Sequence, residues 1–427
     1  MKLSYKIDNV KQNNLLNIAF DVSKDDLHLY TQTGSGTIEC VSECFANNLK
    51  AIKDKLISYE SFAQQKGFSG THIICEPTGG YEEKLLLLAR QLGLHTSYVS
   101  GEAVHKYKII EDNSASKSDI RDPRVIFFVA QYGKLLKHRI LPDEYEMLRH
   151  FNRMHEYETR QLVSCKNMLH RELRRLFCDL SFNNAFLFGS SGRALLKKYH
   201  GNPYKIVRAG KTRFNQTMKK NVRGIRDETI EQLYSDASCS SKLYQGMEVI
   251  EILDWRVAGL YKMFEGHEQA RKEIKQRMSD IYQRLLDNDE AVPKPVKGFV
   301  SQVNLARIIG ETGPLGDFDH QRKLKRFGGL NLRERSSGQY KGKNKVAKKG
   351  RIRLRLILGQ SIFHLIKRDR ILGEYYHGFK ERGMPGTKAM SVVARKLIEI
   401  LFALSRPGTI FDESRLFVCE SCYKSAA

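Results

Sequence analysis

The chain has 427 residues, with 72 Lys+Arg against 48 Asp+Glu, a formal charge of +24 and a pI near 9.6. At ~150 residues per domain it holds two to three domains, and a hydrophobic content of 41% suffices for real cores, which excludes wholesale disorder. The longest apolar stretches fall far short of the ~20 residues of a membrane span, and the first residues lack a signal-peptide core; so large an excess of positive charge calls for a polyanionic partner, nucleic acid first.

The apolar run Asn17–Val22 reads as a strand carrying Asp21 near its end. Leu27–Tyr30 and Thr37–Cys40 read as further strands, joined across the turn-like Thr33-Gly34-Ser35-Gly36. Helical spacing covers Asn47–Gln65, a buried strand Thr71–Cys75 stops at Glu76-Pro77-Thr78-Gly79-Gly80, and Glu82–Leu92, His95–Val99 and Pro123–Leu136 follow as helix, strand and helix. Three opening strands followed by alternating helix and strand match an RNase H-like mixed α/β sheet. Residues 142–180 and 244–289 are long, charged and helix-periodic. The first carries a seam of Met147, Phe151, Met154, Leu162, Met168 and Leu176; the second carries Val249, Ile252, Trp255, Leu260, Met263 and Ile281, with Trp255 as a packing anchor. They predict an antiparallel helical pair, a bundle or a coiled-coil oligomer interface. The linker Val292-Pro293-Lys294-Pro295 opens a last, mainly helical domain with helices over Leu354–Arg368, Ile371–Arg382 and Thr387–Leu404. The expected domains are 1–140, 141–292 with an insert at 181–243, 293–406, and a tail at 407–427.

Two groups of residues carry chemistry. Asp21 and Glu76 end strands, and Asp119 and Asp122 lie at i, i+3 near a helix start, with Pro123 suited to its first turn. Converging carboxylates without Cys or His are the ligand set of a hard ion, Mg2+ or Mn2+, and two such ions can activate a nucleophile and stabilise a leaving oxygen. The second group lies at 322–355, where fourteen Lys/Arg face a single acid, Glu334. The run holds glycines and serines instead of a helix-surface pattern, which favours a phosphate-binding surface. Its candidate nucleic-acid contacts are Arg333, Arg335, Lys341, Lys348, Lys349, Arg351, Arg353 and Arg355. Ser336 and Ser337 stand in that segment, where a hydroxyl needs activation to attack a phosphodiester; spacing alone favours a plain phosphate contact. The eight cysteines are scattered and read as reduced, cytosolic thiols. Cys419-x-x-Cys422 lacks a second ligand pair for zinc. No Walker pattern appears, so ATP dependence is not expected.

Asp21, Glu76-Pro77-Thr78-Gly79 and Lys117-Ser118-Asp119-Ile120-Arg121-Asp122 resemble the DEDD, RuvC-like N-terminal domain of the IS110/IS1111 family of transposases, itself similar to the pilin-gene invertases. The rear half resembles the same family. Val296-Lys297-Gly298-Phe299 to Ile308-Ile309-Gly310-Glu311 is similar to its helix-hairpin-helix-like segment, followed by Phe327-Gly328-Gly329-Leu330, Arg333-Glu334-Arg335-Ser336-Ser337-Gly338, Lys348-Lys349-Gly350 and the closing helix through Val392-Val393-Ala394-Arg395. The chain departs from the family pattern at Val300, where a second hairpin glycine is common, at Pro123, and in its longer middle and tail. The resemblance implies a DNA transposase that forms a covalent phosphoserine link through Ser337, with Ser336 second. It implies Mg2+ or Mn2+ on Asp21, Glu76, Asp119 and Asp122, acting with a serine from another subunit. It further implies a homo-oligomer, dimer or tetramer, held by the central helices, a structured bridge-type RNA that pairs with DNA, and a cytoplasmic, nucleoid-associated place in a bacterial cell. The residues alone leave two other readings open: an RNase H-like metal-dependent nuclease or Holliday-junction resolvase, and a basic nucleic-acid-binding protein whose acids are structural.

Overall fold

The structure, a computed structural model, describes residues 14–33, 39–112, 121–181, 183–243, 248–333, 336–337, 340–342, 345–368, 370–413 and 416. The chain divides into two units, Met1–Ile140 and Leu141–Ala427.

In the first unit, β1 (Leu15–Val22), β2 (Asp26–Thr33) and β3 (Glu39–Ala46) form an antiparallel meander. After α1 (Leu49–Gln65), β4 (Gly70–Cys75) returns parallel to β1. Then α2 (Glu83–Gln91) leads to β5 (His95–Val99), parallel to β4. Helices α3 (Gly101–Asp112) and α4 (Arg121–Gln131) precede β6 (Leu135–Lys137), antiparallel to β5. The sheet order is β3-β2-β1-β4-β5-β6, the RNase H-like arrangement in which the first strand is central.

Alternation sorts the two faces, since successive side chains leave a strand on opposite sides. Leu16, Ile18, Phe20 and Val22 pack with Ile52 and Leu56 of α1 and Leu85 of α2. Ala19, Tyr30 and Ile74 pack on the other face with Val125, Ile126 and Phe127 of α4. Each such large apolar side chain contributes about 1.5–3 kcal/mol when fully buried, which fixes the register against a one-residue slip.

Three expectations are corrected here. The third strand runs Glu39–Ala46 instead of Thr37–Cys40, and Thr37 lies outside the described residues. The helix expected over Pro123–Leu136 stops at Gln131, because Gly133 takes φ +67° and turns the chain into the strand β6. Helix α3 was not read from the sequence at all.

The second unit is helical apart from short β pairings. Helix α5 (Asp143–Leu176) has 34 residues. The insert holds α6 (Asn184–Leu187), α7 (Ser190–Tyr199), α8 (Pro203–Ala209), α9 (Lys211–Asn221) and α10 (Asp227–Ser240) around their own core. The 40-residue α11 (Val249–Asn288) is ~60 Å long at ~1.5 Å per residue. Leu162–Leu176 pack with Leu253–Phe264, while Tyr145 and Leu148 share a core with Ile274–Leu285. The two long helices are therefore antiparallel. That second core continues into α12 (Gln302–Thr312), α13 (Gln321–Phe327), α14 (Ile352–Ile362), α15 (Gly373–Glu381) and α16 (Gly386–Leu404), so packing runs unbroken across position 293.

Only part of the expected seam is buried. Leu162, Leu176, Leu260 and Ile281 are inside, but Met154, Ile252 and Met263 are exposed and Trp255 is 78% exposed. Trp255 is thus no packing anchor within its chain. The core-facing positions in this stretch are Leu253, Val257, Leu260, Tyr261 and Phe264, of which the sequence reading selected Leu260 alone.

Candidate functional site

Strand register brings two of the four expected acids together. Phe20 of β1 stands beside Cys75 of β4, so Asp21 and Glu76 leave adjacent parallel strands at the same level. Both follow the parity of Ala19 and Ile74, the face covered by α4. Asp122 reaches that face from the first turn of α4, with Pro123 beside it, and is itself buried. Asp119 lies outside the described residues.

The Glu76 carboxylate senses the other two. Burial raises the pKa of Glu76, Asp21 and Asp122 raise it further, and Lys108 of α3 opposes them. Lys108 Nζ lies 2.5 Å from Asp122 Oδ1 as an ion-pair partner, although that buried oxygen accepts no hydrogen bond of good geometry. Among the described residues no three acid, histidine or cysteine groups stand close enough to enclose a metal ion. The donor set nevertheless fits one: hard oxygens, mutual repulsion that a cation would relieve, and a buried carboxylate oxygen without a hydrogen bond.

Sequence reasoning missed two residues that place these acids. A Cβ at Gly101, the first residue of α3, would overlap the Glu76 carboxylate. Buried Glu82 fastens the loop after Glu76, its Oε2 accepting from Thr78 Oγ1 at 2.8 Å and Gly80 N at 2.9 Å. The Thr78-x-x-x-Glu82 spacing was the available signal for the second; none pointed to the first.

The serine segment is a β arm with a tight neck. β7 (Leu332–Arg333) pairs with β10 (Lys345–Val346), and β8 (Ser336–Ser337) pairs with β9 (Tyr340–Lys341), Ser337 opposite Tyr340. At the neck, Lys348 N donates to Gly329 O and Arg351 N to Phe327 O, each at 2.9 Å. Gly329 (φ +67°) and Gly350 (φ +145°) allow this crossing: a Cβ on the first would stand 2.8 Å from Lys349 O, and on the second 2.6 Å from Gly329 N.

The expected cations divide into two groups. Arg351 lies 3.7 Å from the Glu311 carboxylate and over the Phe327 ring, Arg353 Nε donates to Glu156 at 2.8 Å, and Arg355 donates to Gly328 O at 2.9 Å. These three hold the neck to the helices. Arg333, Lys348 and Lys349 are exposed. Arg335 lies outside the described residues, and of Lys341 only the backbone is described.

A family model described as a transposase of the DEDD IS110 type matches residues 18–178, and one described as the IS116/IS110/IS902 transposase family matches 296–377. The chain is 22% identical over 411 residues to an insertion element IS110 protein of 43.6 kDa from Streptomyces coelicolor, covering 93% of this chain and 96% of that one. It also resembles the Thermus thermophilus RuvC structure over 28% of this chain and 98% of that chain, at 12% identity and a TM-score of 0.21. At that score the fold assignment rests on the sheet order alone.

Proposed function

The chain belongs to the IS110 family of transposases, and we propose that it cuts and rejoins DNA through a covalent bond to Ser337. The observation that carries the reading is the convergence of Asp21, Glu76 and Asp122 on one face of the sheet, in a chain whose other half carries Ser337 on a short strand pair within a Lys/Arg-rich segment. Asp21, Glu76 and Asp122, with Asp119, would hold Mg2+ or Mn2+. An ion held there would supply electrostatic stabilisation of the negative charge that grows during the exchange.

Ser337 Oγ attacks phosphorus. The Oγ–P bond forms as one bond from phosphorus to a sugar oxygen breaks, and the proton that leaves the serine ends on the freed sugar hydroxyl. Attack by a second sugar hydroxyl on the phosphoserine reverses the exchange and joins a new strand pair. Arg333, Arg335, Lys341, Lys348 and Lys349 hold the DNA phosphates, while Arg351, Arg353 and Arg355 keep the arm in place.

The active particle is a homo-oligomer in which the serine of one copy meets the acids of another. The exposed stripe Ile252, Trp255 and Met263 on α11 supports an interface along the central helices. A structured element RNA selects the DNA by base pairing, and the work is done in the cytoplasm. Domains 1–140, 141–292 and 293–406 supply the acids, the interface and the serine.

Purified protein with element RNA, DNA and Mg2+ should give a protein–DNA adduct that denaturant does not separate. Ser337→Ala should abolish it. Strand cleavage that survives Ser337→Ala would replace this reading with a metal-dependent nuclease or junction resolvase.

A further inference from the structure

A second polar centre lies in the 141–427 unit, and neither the acids nor the serine arm uses it. Gly310 lets α12 cross α5 closely, since a Cβ there would stand 2.8 Å from Leu148 Cβ. Next to this crossing Asn152 Nδ2 donates to Arg307 O at 2.7 Å. One turn along α5 is His155, 7% exposed, and neither of its ring nitrogens has a hydrogen-bond partner. Arg307 is 6% exposed; it donates one guanidinium hydrogen bond to Gln360 at 2.9 Å, and its Nε has no partner.

Arg271 and Lys275 of α11, both half-buried, complete the group. Burial pushes the His155 pKa down to about 3, assisted by Arg307, Lys275 and Arg271 in that order. The Lys275 ammonium is likewise pushed down by burial, Arg271 and Arg307. The two carboxylates that act on Arg307 also face other cations: Glu156 pairs with Arg353 and Arg160, and Glu311 lies 3.7 Å from Arg351 through Oε2, while its buried Oε1 accepts no hydrogen bond. A cavity of about 570 Å³ along α11 is lined by Arg271, Lys272 and Lys275 together with Glu265 and Glu268, of which Glu268 is held by Arg193.

Three cations thus act on a neutral imidazole with two bare nitrogens, and the acids nearest to them, Glu156 and Glu311, are shared with other cations. Buried polar atoms without partners and unrelieved like charge are costly, and an anion relieves both at once. We propose that Arg271, Lys275, Arg307 and His155 form a socket for a phosphate of the nucleic-acid backbone. The cations neutralise it, and the imidazole N–H and the Arg307 Nε–H donate to its oxygens. The inference rests on the reading above that the chain works on nucleic acid.

The test is binding of the full chain to a labelled duplex DNA and, separately, to a labelled RNA hairpin, by fluorescence anisotropy over a range of NaCl concentrations. Lys275→Gln and Arg271→Gln should each lower the log–log salt slope by about 1 and weaken binding roughly three- to tenfold whatever the sequence. Lys275→Arg should keep the slope, as should Lys262→Gln, an equal charge change on an exposed part of the same helix. Slope lost with only one of the two nucleic acids assigns the socket to that one. If both Gln variants keep the wild-type slope with both nucleic acids, or if Lys262→Gln lowers it equally, the socket is wrong while the transposase reading stands. A wild-type chain that binds neither would sink that reading as well.

Discussion

Asp21 and Glu76 ride on adjacent parallel strands of a sheet covered on both faces, whereas Ser337 sits on a two-residue strand in an arm joined to its unit through a neck of two glycines. The acids inherit their positions from a core: Phe20 and Cys75, the residues before them, are buried. The arm depends on main-chain crossing bonds and on arginines paired with Glu156 and Glu311. Groups that must gather a metal ion need fixed geometry, since ligand spacing tolerates little error. On the proposed reading, a serine that attacks one strand and afterwards releases it to a new partner suits a separate element with a firm base.

The largest expected effects break the comparison outright. Asp21→Asn should lower adduct formation by ~10²–10³-fold and Ser337→Ala should remove it. If the two ends act across subunits, a mixture of these two inactive variants recovers adduct; a mixture as inactive as its parts would confine the chemistry to one copy. Gly101→Ala should cost about 10²-fold in rate by displacing the Glu76 carboxylate, with unchanged circular dichroism and unchanged nucleic-acid affinity. At the other end, Gly350→Ala should cost about 1–3 kcal/mol of stability in denaturant melts, because its φ is positive and a Cβ there meets backbone. It should lower adduct yield and leave divalent-metal binding intact.

Two smaller effects sharpen the electrostatics. His155 is held near 3 in the folded chain and sits at about 6.5 when unfolded, so its contribution to stability is present above pH ~6.5 and lost as pH falls towards 3. At pH 5 this group alone costs about 2 kcal/mol. His155→Phe should therefore flatten the fall in melting temperature from pH 7 to 5; an unaltered fall would remove His155 as its source. Lys108→Met should raise Mn2+ affinity about fivefold in calorimetry, by removing ~1 kcal/mol of repulsion beside Asp122. Weaker Mn2+ binding would mean that the amine helps to place the carboxylate.

The sheet and its acids were legible because β1 and β4 carry short runs of buried, largely apolar residues and because carboxylates at strand ends interrupt those runs. Gly101 was not legible, since its role comes from a carboxylate 25 positions earlier that only the folded sheet brings to it. The charge run marked the arm, but it did not separate Arg333, Lys348 and Lys349, which are exposed, from Arg351 and Arg353, whose partners Glu311 and Glu156 lie on distant helices, and Arg355, which donates to neck carbonyls. Trp255 misled because large aromatics are usually buried in their own chain. The long helices expose part of their apolar surface instead, which periodicity by itself does not distinguish from a core-facing stripe.

The most direct test of the account is to find the amino acid that carries the DNA. Adduct formed with Mg2+, digested and sequenced by mass spectrometry, should bear its nucleotide on Ser337, and the modified peptide should vanish in Asp21→Asn. A nucleotide on any other residue, or Ser337 labelled as fully in Asp21→Asn as in the native chain, would contradict joint action of the two ends.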